Sequence, residues 1–528
     1  MTGQITKTSP HSTLQTRGMH VRRYTNAYAY GLILFCVLAL TARFIFKIKS
    51  IFDPFEHDYA EGIILYQILH IFNFAEAYRR ISEYPHIVFH YTPLYHMLAN
   101  LLGRTGLDTA VAARMISLIA SLVLSLICAI FVLVYVPRRV GNSVRYAAAF
   151  VSSAAILFSV SASSCGAGIR SDMLAVTLSV LGLYVFVRFG DRNQALWAFV
   201  LFIAAVYSKQ TIISASAACL IAALLMSRSF FAKAVSILVV LGGGILALYT
   251  YGTSGGFLRH IFVYNVNPYV LKRAADMIGQ HVTSTLPLLV CGLAMILAII
   301  ARLLPLWARL GAVLRRSIHA RTLFCVTLFT LCGMVMSLAT GKEGSAENYF
   351  LEWDIGIAIL TGLFIAKTLT QRPGSVIGPA KWAAWLLPVF WVLSTVPVVY
   401  RNIRPSDFMR QQDRVMKSSY VRLIPLIKAL PGPVVSEDMM LLVKANKQIP
   451  METAIFYGLA SKGVLDQEPF LERLRKQEIS AIIVIHELET VFTAPMVRTI
   501  IDHYRVSETV GPFQLYLPIS TNQSNNHL

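Results

Sequence analysis

Four carboxylates, Asp53, Glu56, Asp58 and Glu61, and the imidazole of His57 fall within nine positions of the stretch FDPFEHDYAEGIILYQ. Carboxylates at that density can act as a general base, bind a metal or orient an acceptor. Asp58 and Glu61 share a face if Asp58 opens a helix, where a carboxylate also caps the first turn. The local pattern supports an acidic helix start and a catalytic pair equally. Asp53 and Glu56 repeat the spacing, but Pro54 makes their segment a turn, so they read as turn and surface residues.

Further polar stretches interrupt otherwise apolar sequence. Lys209 is a lone cation between two apolar runs; it either snorkels to an interface or contacts a phosphate. Arg170 and Asp172 flank the start of a run and read as a local ion pair, with Arg170 a second phosphate candidate. The stretch GTSGGFLRHIFVYNVNPYVLKR offers positive charge at Arg259, His260, Lys272 and Arg273, and sugar-like contacts at Tyr264, Asn265, Asn267 and Tyr269. Its plain alternative is a basic loop against lipid headgroups. GKEGSAENYF joins Lys342 and Glu343 to Asn348 and Tyr349, with helix capping by Ser345 or Asn348 as the alternative. There is no P-loop, no GxGxxG opening a βαβ unit and no HExxH.

The elements that must position these groups are set by composition. Of 528 residues, 56% are hydrophobic and 14% charged, against about 25% charged in a typical soluble protein. Apolar runs fill residues 25–400, and the expected spans are 25–46, 110–134, 146–163, 173–188, 194–208, 211–227, 233–251, 283–303, 322–340, 351–368 and 382–400. The net charge of +20 does not indicate nucleic acid, because the basic residues sit mainly in links between spans, where they set topology. Arg17, Arg22 and Arg23 in a basic tail (1–24), then Arg138, Arg139, Arg145, Arg188, Arg192, Arg228, Lys233, Arg302, Arg309, Arg315, Arg316, Arg321, Lys367, Arg372 and Lys381, mark one side as cytoplasmic. That bias puts the N-terminus inside and the C-terminus outside. It gathers every unusual polar loop, including the long first loop 47–109, on the non-cytoplasmic face. In that loop AEGIILYQILHIFNFAEAYRR reads as an interfacial helix and PLYHMLANLLG as a second short one.

Residues 401–528 have ordinary soluble composition. PVVS, AIIVI and FQLYL read as strands and PFLERLRKQ as a helix, giving a small α/β domain. His486 and Glu487 after a strand read as surface residues. The seven cysteines lie in or beside apolar runs without metal-ligand spacing, so no disulfide framework is expected.

The acidic pair after the first span, YTPLYHMLANLLG with a following Arg114, IRSDMLAV, SKQT, GGFLRHIFVYNVNPY and GKEGSAENYFLE occur in that order. Taken together over residues 25–400, the series resembles bacterial membrane glycosyltransferases of the GT-C superfamily, in the group related to protein O-mannosyltransferases and aminoarabinose transferases. The resemblance implies a polytopic helical fold of about eleven spans with first-loop interfacial helices over the site. It implies inverting transfer of a hexosyl or pentosyl unit from a polyprenyl-phosphate sugar to a lipid, glycan or protein acceptor, in a bacterial inner membrane. The family's first-loop acid maps onto Asp58 with Glu61 next to it; D-Y-A-E replaces the adjacent Asp-Glu of some members. Lys209 and Arg259 are counterparts of phosphate-holding basic residues. Many members need no divalent metal, and no compelling ligand set, metal or other cofactor is legible here. A multipass transporter or lipid flippase is the alternative; such proteins place ionisable residues near the midplane, often in repeated halves, and no repeat is evident.

Overall fold

The computed structural model describes residues 10–370, apart from 139 and 266, and 379–519; side chains at 10–22, 164 and 379–384 are not described. The first nine residues of the expected tail, Arg139, Arg372 and the last nine residues of the C-terminal segment therefore lie outside the described residues, as do the side chains of Arg17, Arg22 and Lys381. Residues 10–24 continue the first helix, which runs Pro10–Ser50.

Eight helices among the described residues are long and apolar enough to cross a membrane, and two shorter apolar ones, Asn193–Ser208 and Ser214–Met226, lie among them. The expected span 146–163 is two helices, Asn142–Leu157 and Val160–Cys165. They part at Ser159, whose hydroxyl accepts the Ala162 N–H and caps the second. The apolar window of Glu347–Leu369 is 94% buried and that of Arg228–Gly252 only 6%, so the first is the central post and the second a lipid-facing strut. Small residues let helices close on that post: a Cβ at Gly356 would fall 2.1 Å from Thr330 Oγ1, and one at Gly292 2.6 Å from Ile357 Cδ1.

One end of the bundle, the loop face, carries the segment between Ser50 and Thr109. Its helices are Ala60–His70, Phe74–Ala77 and Leu94–Gly103. Ala60–His70, expected at an interface, is enclosed from Glu61 to Ile68. It packs on Leu94–Gly103 on one side and on Met439–Lys444 of the C-terminal region on the other. A Cβ at Gly62 would meet Met440 N at 2.3 Å, so only glycine permits that backbone approach.

The helix Asp407–Ala429 leads into a four-stranded sheet. Its strands are β1 (Val434–Ser436), β2 (Ala481–Val484), β3 (Tyr504–Val510) and β4 (Phe513–Pro518), in the order β1-β2-β4-β3. β1 and β2 are parallel with Val434 opposite Ala481; β4 runs antiparallel to both β2 and β3. Glu468–Arg475 is the expected helix before β2. β3 was not legible: it is an edge strand, half exposed and bulged between Val506 and Glu508.

A buried ion pair fixes the start of the first loop. Glu61 and Arg114 are both fully buried. Arg114 Nη2 donates to Glu61 Oε2 at 2.6 Å and to Phe55 O at 2.8 Å, while its Nη1 reaches Asp53 O at 2.6 Å. Glu61 also accepts the Ile169 N–H at 2.8 Å and the His57 N–H at 3.0 Å. One guanidinium thus defines the turn 51–55, and one carboxylate ties that turn to the loop before the Asp172–Phe189 helix.

His260 makes a second tie. Its Nδ1 accepts the Phe89 N–H at 3.0 Å and its Nε2 donates to Arg79 O at 2.5 Å, so the neutral tautomer is built into the structure. Burial lowers the His260 imidazole to about 4 and that of His96 to about 3.

Removing one partner of a buried pair leaves the other charge without compensation, at a cost of about 3–5 kcal/mol. Arg114→Ala should therefore strongly lower the thermal unfolding midpoint in detergent, and Glu61→Leu combined with Arg114→Leu should be less damaging than Arg114→Ala alone. The histidines predict acid lability. Their folded values lie below the ordinary 6.5, so the folded state takes up fewer protons; stability is intact above about 6.5 and lost as pH falls toward 4. The unfolding midpoint should drop over that interval, and His260→Gln should drop less over it.

Candidate active site

Asp58 stands immediately before the Ala60–His70 helix. Its Oδ1 accepts the Ala60 N–H at 3.1 Å, its Oδ2 is bonded by Arg170, and a third of the side chain is exposed. Arg170 lies in the loop that Glu61 grips at Ile169, and its carbonyl accepts the Ser117 hydroxyl at 3.0 Å. The same carboxylate therefore sets both members of the Asp58–Arg170 pair. Arg170 Nε is buried with no hydrogen-bond partner.

Asp172 opens the next helix and pairs with Lys209, and Asn348 Nδ2 donates to the same Asp172 oxygen at 2.8 Å. Lys209 follows the Trp197–Ser208 helix, with its ammonium 5.6 Å from the ring centres of both Tyr91 and Tyr349. Burial alone would depress the Lys209 ammonium, but Asp172 foremost more than offsets this and raises it. With 5% of its side chain exposed, Lys209 does not snorkel. The local Arg170–Asp172 pair expected from sequence gives way to a longer row of alternating sign, Asp58–Arg170–Asp172–Lys209, ending between two tyrosines. Attraction between neighbours of opposite sign lets so many charges be enclosed at a membrane boundary.

A second group lies beside the first. Lys342 Nζ donates to the carbonyl and to Oδ1 of Asn265, and Asn267 Nδ2 donates to Glu343 O at 2.8 Å. Val270 N–H bonds Gly341 O and Glu343 N–H bonds Pro268 O, at 2.8 and 2.9 Å, so the stretches 267–270 and 341–343 are zipped together. His90 lies between the groups: burial lowers its imidazole to about 4, with Lys209 and Lys342 among the positive neighbours adding to the effect. Arg259 donates to Ser254 O at 3.2 Å; its Nε is buried without a partner, and it has no carboxylate partner among the described residues.

The structure thus brings together Asp58, Arg170, Lys209, Asn348 and Tyr349, and beside them Lys342, Asn265 and Asn267. Arg259 contacts neither group among the described hydrogen bonds and ion pairs, and three further expected site residues are placed elsewhere. Glu61 is buried with both oxygens bonded to Arg114, Ile169 and His57, leaving it no edge for a substrate. His260 has both ring nitrogens engaged by backbone. Tyr264 is 8% exposed and packs in a core shared with the C-terminal region. Glu56, expected on the surface, is half-buried: its Oε2 accepts the Gly62 N–H at 3.2 Å, and burial, then Asp438, push its carboxyl well up. Asp53 pairs with Lys417 at 3.1 Å. Sequence reasoning missed Asp172 as the partner of Lys209, and Tyr91 and His90 as neighbours. IRSD and YTP marked Asp172 and Tyr91 without giving roles, and no motif marked His90. Among the described residues, no three His, Cys, Asp or Glu side chains form a group able to hold a metal ion.

No protein-family model matches the chain, and no curated protein matches it. Among solved structures it is similar to ArnT from Cupriavidus metallidurans in the apo state, with a TM-score of 0.54 at 12% identity, covering 93% of this chain and 98% of that one. It is similarly close to ArnT from the same organism bound to undecaprenyl phosphate, with a TM-score of 0.53, 12% identity and the same 93% and 98% coverage. At that identity the likeness is one of fold. The chain shares the fold of that structure over nearly its whole length.

Proposed function

We propose that this protein is a membrane glycosyltransferase that moves a sugar from a polyprenyl-phosphate donor to an acceptor at the loop face. The observation that carries the reading is the row Asp58–Arg170–Asp172–Lys209, set on a GT-C fold at the membrane boundary. The solved ArnT structure with undecaprenyl phosphate supports a lipid phosphate as donor handle.

In this reading an acceptor hydroxyl attacks the anomeric carbon as the bond from that carbon to the phosphate oxygen breaks. Asp58, the exposed end of the row, takes the hydroxyl proton, and Arg170 aims its carboxylate. The electron pair of the broken bond stays on the departing polyprenyl phosphate, whose charge is met by fixed cations. Lys209 and Arg170 sit nearest Asp58 for that role. Arg259 has an unpartnered Nε and no carboxylate partner among the described residues, so a phosphate oxygen suits it. Tyr91, Tyr349, Asn348, Asn265, Asn267 and Lys342 supply ring faces and hydrogen-bonding edges for a sugar. Attack from the face opposite the leaving phosphate makes the transfer inverting. A phosphate acceptor would need no base, and Asp58 would then only orient it.

The same reading puts the N-terminus in the cytoplasm and the loop face on the non-cytoplasmic side of a bacterial inner membrane, since the basic links gather at the opposite end. The segment 401–519 covers the back of the Ala60–His70 helix and acts as its support.

Purified protein presented with a panel of polyprenyl-phosphate sugars should yield a glycosylated acceptor or free sugar by mass spectrometry. Asp58→Asn should cut transfer to a hydroxyl acceptor by roughly 10²–10⁴-fold while lowering the unfolding midpoint less than Arg114→Ala does; full activity in that variant would remove Asp58 from the mechanism. Arg259→Ala breaks no ion pair among the described residues, so it should raise the donor KM about tenfold, a loss of about 1.4 kcal/mol, and change kcat little. An unaltered KM would exclude Arg259 from donor binding.

A further inference from the structure

On the other side of the Glu61–Arg114 tie, a groove of about 110 Å³ runs between the Pro10–Ser50 and Thr109–Tyr135 helices. Its walls include Leu40, Phe44, Leu122 and Leu157, and at its loop-face end stand Arg43 and Lys47. These two cations are one helical turn apart, so they present to the same side. They lie seven and three residues before the helix end at Ser50, roughly 10 and 5 Å below it at about 1.5 Å per residue. Both therefore stand in the last two turns of a helix long and apolar enough to cross a membrane.

Neither cation has a carboxylate within ion-pair distance among the described residues. Arg43 Nη2 donates to the Ser163 hydroxyl at 2.6 Å, and Lys47 Nζ donates to the Ser163 carbonyl at 2.7 Å. Arg43 also lies 5.8 Å from the Phe158 ring. Simple snorkelling would carry the guanidinium out to water, yet Arg43 is only 7% exposed. The other buried cations near this face are matched: Arg114 by Glu61, Arg170 by Asp58 and Lys209 by Asp172. A buried and a half-buried cation, neither matched by a carboxylate among the described residues, above an apolar groove call for an anion that brings its own hydrocarbon.

We propose that Arg43 and Lys47 form a binding site for one anionic glycerophospholipid of the loop-face leaflet, separate from the site at Asp58. The phosphate sits between the guanidinium and the ammonium, accepting charge-assisted hydrogen bonds. The upper part of one acyl chain lies against Leu40, Phe44, Leu122 and Leu157. The groove is short and continues into the lipid-exposed face of both helices, with Phe44 and Leu122 each 39% exposed. It therefore grips a headgroup and the first methylenes of a resident membrane lipid, and does not enclose a long prenyl tail.

The test is native mass spectrometry of the full chain from detergent, titrated separately with phosphatidylglycerol, phosphatidylcholine and undecaprenyl phosphate. Wild type should retain one phosphatidylglycerol, and phosphatidylcholine at least tenfold more weakly. Arg43→Ala with Lys47→Ala should lose that preference, whereas Leu122→Trp, which fills the groove and leaves both cations in place, should weaken retention while keeping the unfolding midpoint of the lipid-free protein. Equal retention of phosphatidylcholine, or unchanged binding in both variants, would overturn the site. Retention of undecaprenyl phosphate by these two residues in place of phosphatidylglycerol would overturn the assigned occupant. None of these readings uses glycosyl transfer, so the outcome is independent of the function proposed above.

Discussion

Everything distinctive about the loop face depends on one buried ion pair. Arg114 and Glu61 are withdrawn from water completely, and an isolated charge there would be prohibitive. Each is affordable only because the other is present with further hydrogen bonds around it. Those hydrogen bonds run to the backbone at Ile51, Asp53, Phe55, His57 and Ile169, so the pair acts as a template for two chain segments at once. Asp58 hangs from one segment and Arg170 from the other. Their meeting is therefore a consequence of the pair beneath them, not of any strong preference of their own.

The row beyond follows the same electrostatic logic. Alternation of sign lets Asp58, Arg170, Asp172 and Lys209 stand together where the apolar bundle begins, and exposure rises toward Asp58. A change from a buried cation to a partly wet carboxylate suits the transfer centre proposed above. The buried histidines around it are neutral and act as hydrogen-bond posts, which makes acid a threat to the scaffold before it touches the row.

How much of this was legible in the sequence depended on the range of the interaction. Apolar run lengths and basic links gave the bundle and its loop face, because both are local averages over many residues. The α/β character of the C-terminal region was equally plain from short strand-like runs, while bulged, half-exposed β3 carries no clean alternation and escaped notice. For single side chains the limit was sharper. Spacing put Asp58 and Glu61 on one helix face, but it could not say that Arg114, 53 positions later, claims only Glu61. Likewise Arg170 looked like the partner of Asp172, and the fold exchanged both partners for distant ones. His260 and Tyr264 had the chemistry of ligand contacts; that one anchors Phe89 and Arg79 and the other packs toward the C-terminal core follows only from the tertiary contacts.

The close approach at Gly62 has a bearing on how such a protein can be rebuilt. A helix of the first loop meets the segment beginning at Met439 backbone to backbone, and Glu56 faces Asp438 across the same seam. Two stretches nearly four hundred residues apart are thus cut to a single template. In a hybrid assembled from two related chains, exchanging the first loop alone would set a foreign surface against Met439 and Met440, and exchanging the tail alone would do the same to Gly62. The transplantable unit is the loop together with the C-terminal segment, carried as one piece on an interchangeable bundle.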